Sequence, residues 1–417
     1  MTENLPLITN DAVVFGILCL ILAAVFVTSS SNNPLFSKFY KYVPSVLIIY
    51  FIPGVLSSVG LISGDHSNLY FVTSRYLLPA CLVLLTLSID LVAVLKLGPK
   101  MMIMFFTGTV GIILGGPVAI LAVSAINPDL VGGAGPDAVW RGLTTIAGSW
   151  IGGGANQAAM KEVFGVGDDI FGALVAVDIL VGNLWMALML VCAGNSERID
   201  RFNKADSSAI DSLRRKIEDY KASIDRIPRT ADTMAVLGVG FGVTGLAHLG
   251  ADTLTPWISH NWPWLSRFSL TSPFFWVVVI ATTGGLILSF TRARSLEGGG
   301  ASRIGTVFLY LLVASIGMKM NLHSVVDSPG LYLIGLIWIG FHAVLLVIVA
   351  RLIRAPIFFL AIGSEANVGG AASAPVVASA FHPSLAPVGV LIAVLGYALG
   401  TYGAWLCGQL MRIAAQM

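Results

Sequence analysis

The chain has 417 residues and a formal net charge of +2; 56% of its residues are hydrophobic and 11% charged, and its mean hydropathy is +0.86. Soluble domains carry about 25% charged residues, so this composition excludes an ordinary soluble globular protein. No basic patch interleaved with aromatics points to a nucleic-acid partner, and Cys19, Cys81, Cys192 and Cys407 lack the spacing of a disulfide framework or a zinc site.

A helix needs roughly 20 apolar residues to cross about 30 Å of hydrocarbon. The N-terminal MTENLPLITND has an acidic flank, unlike a cleaved signal peptide, so the first apolar run, 12–29, reads as a retained span. Further spans are predicted at 42–62, 74–95, 101–126 and 170–192, and then at 232–250, 272–290, 304–322, 331–353 and 385–411. Two other stretches, 143–163 and 358–380, are less apolar and rich in Gly, Ala, Ser and Asn. Pro44, Pro53 and Pro79 start or kink helices, because proline lacks an N–H donor. Trp257, Trp262 and Trp264, in the connection after 250, suit an interfacial aromatic belt.

Basic residues orient the spans. They follow the first span (Lys38, Lys41), the third (Lys96, Lys100), the seventh (Arg292, Arg294, Arg303) and the ninth (Arg351, Arg354), and they crowd the connection 193–231. Segments 63–73 and 323–330 have none, and 251–267 has Arg267 alone. The pattern alternates with both termini outside the cytoplasm, provided that 143–163 does not cross fully. That stretch and 358–380 therefore read as re-entrant or broken elements, tolerable only where buried in protein or facing a wet cavity. The expectation is an all-α polytopic membrane protein of two inverted repeats, 1–192 and 232–417. Each has five transmembrane helices and one re-entrant or broken element. They are joined by a cytoplasmic basic linker, 193–231, in which Ile210, Leu213, Ile217, Tyr220 and Ile224 recur at the spacing of an amphipathic helix.

Weak internal similarity agrees. LSIDLVAVL (87–95) aligns with MKMNLHSVV (318–326), pairing Asp90 with Asn321 and Leu91 with Leu322. AGSWIGGGANQAA (147–159) aligns with IGSEANVGGAASA (362–374), and LVAVDILVGN (174–183) with LIAVLGYALGT (391–401). Broken helices at corresponding places in two inverted halves are the best sequence pointer to a transport site.

The candidate substrate-binding residues lie in those two stretches: Ser149, Asn156 and Gln157, and Ser364, Glu365 and Asn367. The alternative is tight packing of small residues with locally satisfied amides. Asp178, deep in an apolar run, is a candidate ion-coupling residue with Asn183, its aligned counterpart Thr401, and Asp90; a structural hydrogen bond is the competing reading. Protonation of Glu365 would couple transport to a pH gradient. Lys319 could meet a carboxylate or an anionic substrate, or snorkel to the interface. Lys161, Glu162, Asp168 and Asp169 read as a wet mouth or loop.

No GxxxxGK[ST] motif powers a pump, and no HExxH or GxSxG signature marks an enzyme. An ion-coupled secondary transporter, not an enzyme, is the leading expectation; the alternatives are a channel or an intramembrane enzyme using buried carboxylates. With its GSWIGGGAN and GSEANVGG segments and central basic linker, the sequence resembles the YjcL-like family of bacterial membrane proteins, formerly a domain of unknown function, across nearly its whole length. That family is similar in organisation to glutamate– and citrate–sodium symporters. The resemblance implies an elevator-type carrier of a small anionic organic solute in the bacterial inner membrane, coupled to Na⁺ or H⁺. It implies no cofactor beyond that ion, and leaves a homodimer open because dimers are common among those symporters.

Overall fold

Helix α1 (Asp11–Ser29) opens the computed structural model, which describes residues 5–43, 45–133, 135–205, 228–319, 329–382 and 385–416; its first N–H groups bond the Asn10 side chain. Then come α2 (Pro34–Tyr42), α3 (Ser45–Ser58) and α4 (Leu69–Leu87), which carries a π-helical turn at Thr73–Leu77. The span predicted at 74–95 stops at Leu87, because Asp90 caps a separate short helix, α5 (Leu91–Leu95), by accepting from Ala93 N. Helices α6 (Pro99–Ser124), α7 (Val139–Phe164) and α8 (Asp168–Gly194) complete the first half. Helix α9 (Ser196–Asn203) begins the long connection, whose predicted amphipathic residues 210–224 lie outside the described residues, as do Asn321 and Leu322.

The second half contains α10 (Thr230–Asn261), α11 (Pro273–Ser289), α12 (Ala301–Gly317), α13 (Pro329–Leu352), α14 (Ile357–Val368), α15 (Gly370–Phe381) and α16 (Ala386–Ala414). The connection predicted after residue 250 is helical as far as Asn261, with Pro256 accommodated inside α10. At about 1.5 Å per residue this helix is about 48 Å long, so it overshoots the hydrocarbon and carries the exposed Trp257 to its end. Among the described residues, 7 helices are long and apolar enough to cross a membrane, or 9 if two bent helix pairs each count as one span. Helix α12, at 17 residues, is shorter than its predicted span.

The helices sort into two bundles. In the first, α3 packs on α1 and α12, while α4 packs on α10, α11 and α12. In the second, α6 packs on α13, α14 and α16, α8 on α13 and α15, and α15 on α16; its most extensive contact joins α7 to α16. The bundles meet where α4 and α11 touch α7 and α16. Each bundle draws helices from both halves of the sequence.

Candidate functional site

Gly153 interrupts α7 with φ 74° and ψ −175°, a conformation essentially confined to glycine. A Cβ on Gly148 would come 2.5 Å from the Asn156 carbonyl oxygen, eight residues on. In a straight helix eight residues span about 12 Å. The chain therefore folds back at Gly153. The tip of this turn rests on α16: a Cβ on Gly396 would lie 2.5 Å from the Ile151 carbonyl oxygen and 3.6 Å from that of Ala366 in α14. Side chains at this crossing would hold the three helices apart. The second glycine-rich stretch is also broken, between α14 and α15, where Gly370 has φ +57°.

Polar side chains collect around the two breaks. Asp178 of α8 accepts from Trp150 Nε1 at 2.6 Å and from Gln157 Nε2 at 2.9 Å, and Ser149 faces the same carboxylate. Gln157 Oε1 accepts from the Tyr50 hydroxyl of the first bundle at 3.4 Å. Asn156 donates to Gly152 O and Tyr397 O, each at 3.0 Å, and accepts from Thr401 at 2.7 Å; Thr282 of α11 lies 3.1 Å from the Thr401 hydroxyl. Ser149, Asn156, Gln157, Asp178 and Thr401 are thus brought together around α7.

Ser364, on α14, accepts from Trp185 Nε1 at 2.8 Å and lies 2.7 Å from His342 Nε2. His342 Nδ1 is 3.1 Å from Gly108 O, which can only accept, so the proton sits on Nδ1 and Ser364 donates to Nε2. Asn367 donates to Phe105 O and Gly363 O and accepts from Thr109, which ties α14 to α6. Glu365, between these two, is 0% exposed, and neither of its carboxylate oxygens has a hydrogen-bond partner among the described residues. A Cβ on Gly369 would lie 2.8 Å from Glu365 Oε2 and 2.5 Å from Ser373 Oγ, so the carboxyl points at the break. The two clusters adjoin: Trp150 and Trp338 have ring centroids 5.1 Å apart, Trp338 stands one turn before His342 on α13, and α8 carries both Asp178 and Trp185.

Three candidates lie apart from these clusters or serve differently. Asn183 donates to Ile179 O of its own helix at 2.6 Å and is half-buried, whereas its aligned counterpart Thr401 bonds Asn156 of α7. Asp90 caps α5 and pairs with Arg294 at 3.1 Å in the first bundle. Lys319, just beyond α12, lies 3.6 Å from Asp65 and 3.4 Å from Asp168. Three of the residues expected at a wet mouth or loop, Lys161, Glu162 and Asp168, join a partly exposed network between the bundles. Lys161 is buried, pairs with Asp168 at 2.6 Å and stacks over Tyr70; Arg75 pairs with Glu162 at 3.0 Å, and the Tyr70 hydroxyl also bonds Glu162. Desolvation explains the pairing, since a cation buried there needs a partner.

At the start of α14, Asp200 Oδ1 accepts from Ile357 N at 2.7 Å, capping from α9 a helix whose own N-cap is Pro356. Burial pushes the Asp200 carboxyl above its ordinary value, opposed by that hydrogen bond. Trp150, Tyr50, Trp185, His342 and Thr109 were not singled out from the sequence. Only His342 had a signal there: an ionisable residue inside an apolar span. Among the described residues, no group of three or more His, Cys, Asp or Glu could hold a metal ion.

Apolar helices with exposed hydrophobic faces, enclosing polar clusters at helix breaks, define an all-α multi-pass membrane protein. The family described as protein of unknown function (DUF819) matches residues 16–414, and the chain belongs to it. The chain is also 24% identical over 365 residues to an uncharacterized membrane protein, YjcL, of Bacillus subtilis (strain 168), an alignment covering 84% of this chain and 85% of that protein.

Proposed function

We propose that this chain is an ion-coupled secondary transporter of a small anionic organic solute, in which the second bundle moves against the first to expose a central site alternately. The carrying observation is the fold-back of α7 at Gly153, matched by the α14/α15 break at Gly370, with both reaching α16 at Gly396. Backbone N–H groups freed at such breaks attract anions, and freed carbonyls suit cations. In this conformation Ser149, Asn156, Gln157, Ser364 and Asn367 hold the broken helices in place, while Glu365 is enclosed at the second break.

Inverted repeats are supported by the packing. Exchanging α1 with α10, α3 with α11, α4 with α12, α6 with α13, α7 with α14/α15, and α8 with α16 maps several contacts within the bundles onto one another, but not α6·α14 or the contacts between the bundles. Thus α3·α12 becomes α11·α4, and α7·α16 becomes the packing of α14 and α15 on α8. These equivalences agree with the sequence alignments of 147–159 and 174–183 with the second half. A fold-back at α7 also keeps the basic segment after α8 on the cytoplasmic side of the inner membrane, with both termini opposite.

The test is uptake by proteoliposomes from a metabolite library under an imposed Na⁺ or H⁺ gradient. Saturable, gradient-dependent accumulation is expected. Flux that fails to saturate would mean a channel, and no flux of any solute by correctly inserted protein would remove the transport reading.

A further inference from the structure

We infer that Glu365, rather than Asp178, is the group that loads and releases the coupling ion, and that this ion is a proton. The inference rests on the transporter reading and deepens it. The two buried carboxylates are treated in opposite ways. Asp178 is surrounded by donors from Trp150, Gln157 and Ser149, and Gln157 is itself fixed by Tyr50. Donors aimed at both oxygens favour the ionised carboxylate. The Asp178 carboxyl is held in place by these donors, orders the fold-back, and has its lone pairs already engaged.

Among the described residues, Glu365 receives no donor and no cation. An ionised carboxylate so enclosed would be neither solvated nor paired, so in this conformation the group is the neutral acid. A metal cation in its place would need several oxygen ligands converging on it. Of the neighbouring side chains, Asn367 is committed to Thr109, Phe105 O and Gly363 O, and Ser364 to His342 and Trp185, which leaves the single Ser373 hydroxyl near Glu365 Oε2, too few for a metal ion.

The ionisable groups on elements packed against α14 are also engaged away from it. Asp178 on α8 and His342 on α13 have the partners given above. On α7, Lys161 and Glu162 pair with Asp168 and Arg75. Tyr397 on α16 faces Cys81 and Tyr310 of the first bundle, and Asp200 on α9 caps Ile357. None reaches the Glu365 carboxyl within hydrogen-bonding distance.

The way out is short. Glu365 Oε2 and Ser373 Oγ both lie against Gly369, Ser373 is half-buried, and Ala372 beside it is exposed. Movement of α15 relative to α14 at the glycine pair would bring water to the carboxyl. The O–H bond then breaks, the proton passes to water, and the carboxylate keeps the electron pair. Reprotonation from the other side completes the cycle.

Infrared spectroscopy of the purified full-length protein tests this without any solute. Wild type at neutral pH should show the C=O stretch of a protonated carboxyl. Glu365→Gln should lose that band, Glu365→Asp should shift it, and Asp178→Asn should keep it. A wild-type spectrum without the band, a band that survives in Glu365→Gln, or one that disappears on adding Na⁺ at constant pH would overturn the inference. In vesicles, accumulation by wild type should rise with the imposed pH gradient, and Glu365→Gln should lose that response. Absence of all solute flux with the band present would instead remove the transport reading, so the two failures are told apart.

Discussion

Arg75 Nη2 lies 3.0 Å from Glu162 Oε2 and so ties α4 of the first bundle to the last turn of α7 in the second. Lys319 to Asp168 and Tyr70 to Glu162 cross the same boundary. If one bundle moves past the other, these contacts must part, so they hold the conformation described here. Arg75→Ala should shift the population away from it, and the reversed pair Arg75→Glu with Glu162→Arg should restore it. Cysteine cross-linking between α4 and α7 reads the shift, and a double-mutant cycle on thermal unfolding should give a coupling of about 1 kcal/mol, given the partial exposure of Arg75. A coupling of zero would mean that the pair merely decorates the boundary.

The fold-back at Gly153 makes a steric prediction. Gly153→Ala forces a side chain into a backbone conformation it rarely adopts and should cost about 1–3 kcal/mol. Gly16→Ala, where a Cβ meets nothing within 4 Å, should leave the melting temperature unchanged. Equal melting temperatures for the two variants would argue that α7 does not turn at this position.

The two buried carboxylates should differ in stability as well as chemistry. Asp178→Asn presents an NH₂ to one of the donors now satisfied and should destabilise by about 1–3 kcal/mol. Glu365→Gln exchanges one unpartnered neutral group for another, so its melting temperature should fall much less. A drop as large as that of Asp178→Asn would reveal partners for Glu365.

Sequence reading located the breaks but could not say which polar residues serve them. Glycine-rich, amide-bearing interruptions of apolar runs are visible locally, and both proved to be broken helices. The partners are not local. Thr401 reaches Asn156 across 245 residues, and Thr109 reaches Asn367 across 258. Asn183 and Thr401 look equivalent by alignment, yet one bonds its own helix while the other anchors the fold-back. The first of these is available to any asparagine in any helix, and no pattern distinguishes it in advance.

That difference is measurable. Thr401→Val leaves the buried Asn156 carbonyl without its donor and should destabilise by about 1–3 kcal/mol. Asn183→Ala removes a bond within one half-buried turn and should lie within about 0.5 kcal/mol of wild type. Thermal unfolding in detergent compares them, and a reversed order would contradict the hydrogen-bond assignment.

The cap on α14 carries a pH signature. Burial raises the Asp200 carboxyl above its ordinary value, so the folded chain binds that proton more tightly than the unfolded chain does. Its contribution to stability is therefore greatest at acid pH and declines as pH rises through the raised value. Asp200→Asn should flatten that part of the stability profile. An unchanged profile would place the acid-range dependence elsewhere.

Because each bundle interleaves helices from both halves of the chain, the first cannot close until α12 has been made, nor the second until α16 has. Asn156 enters the bilayer long before the ribosome reaches Thr401, and Tyr50 long before Gln157. The growing chain must therefore shelter unsatisfied amides and hydroxyls in lipid or at an insertase until their partners arrive. The two halves expressed as separate polypeptides should be unstable alone and recover when made together.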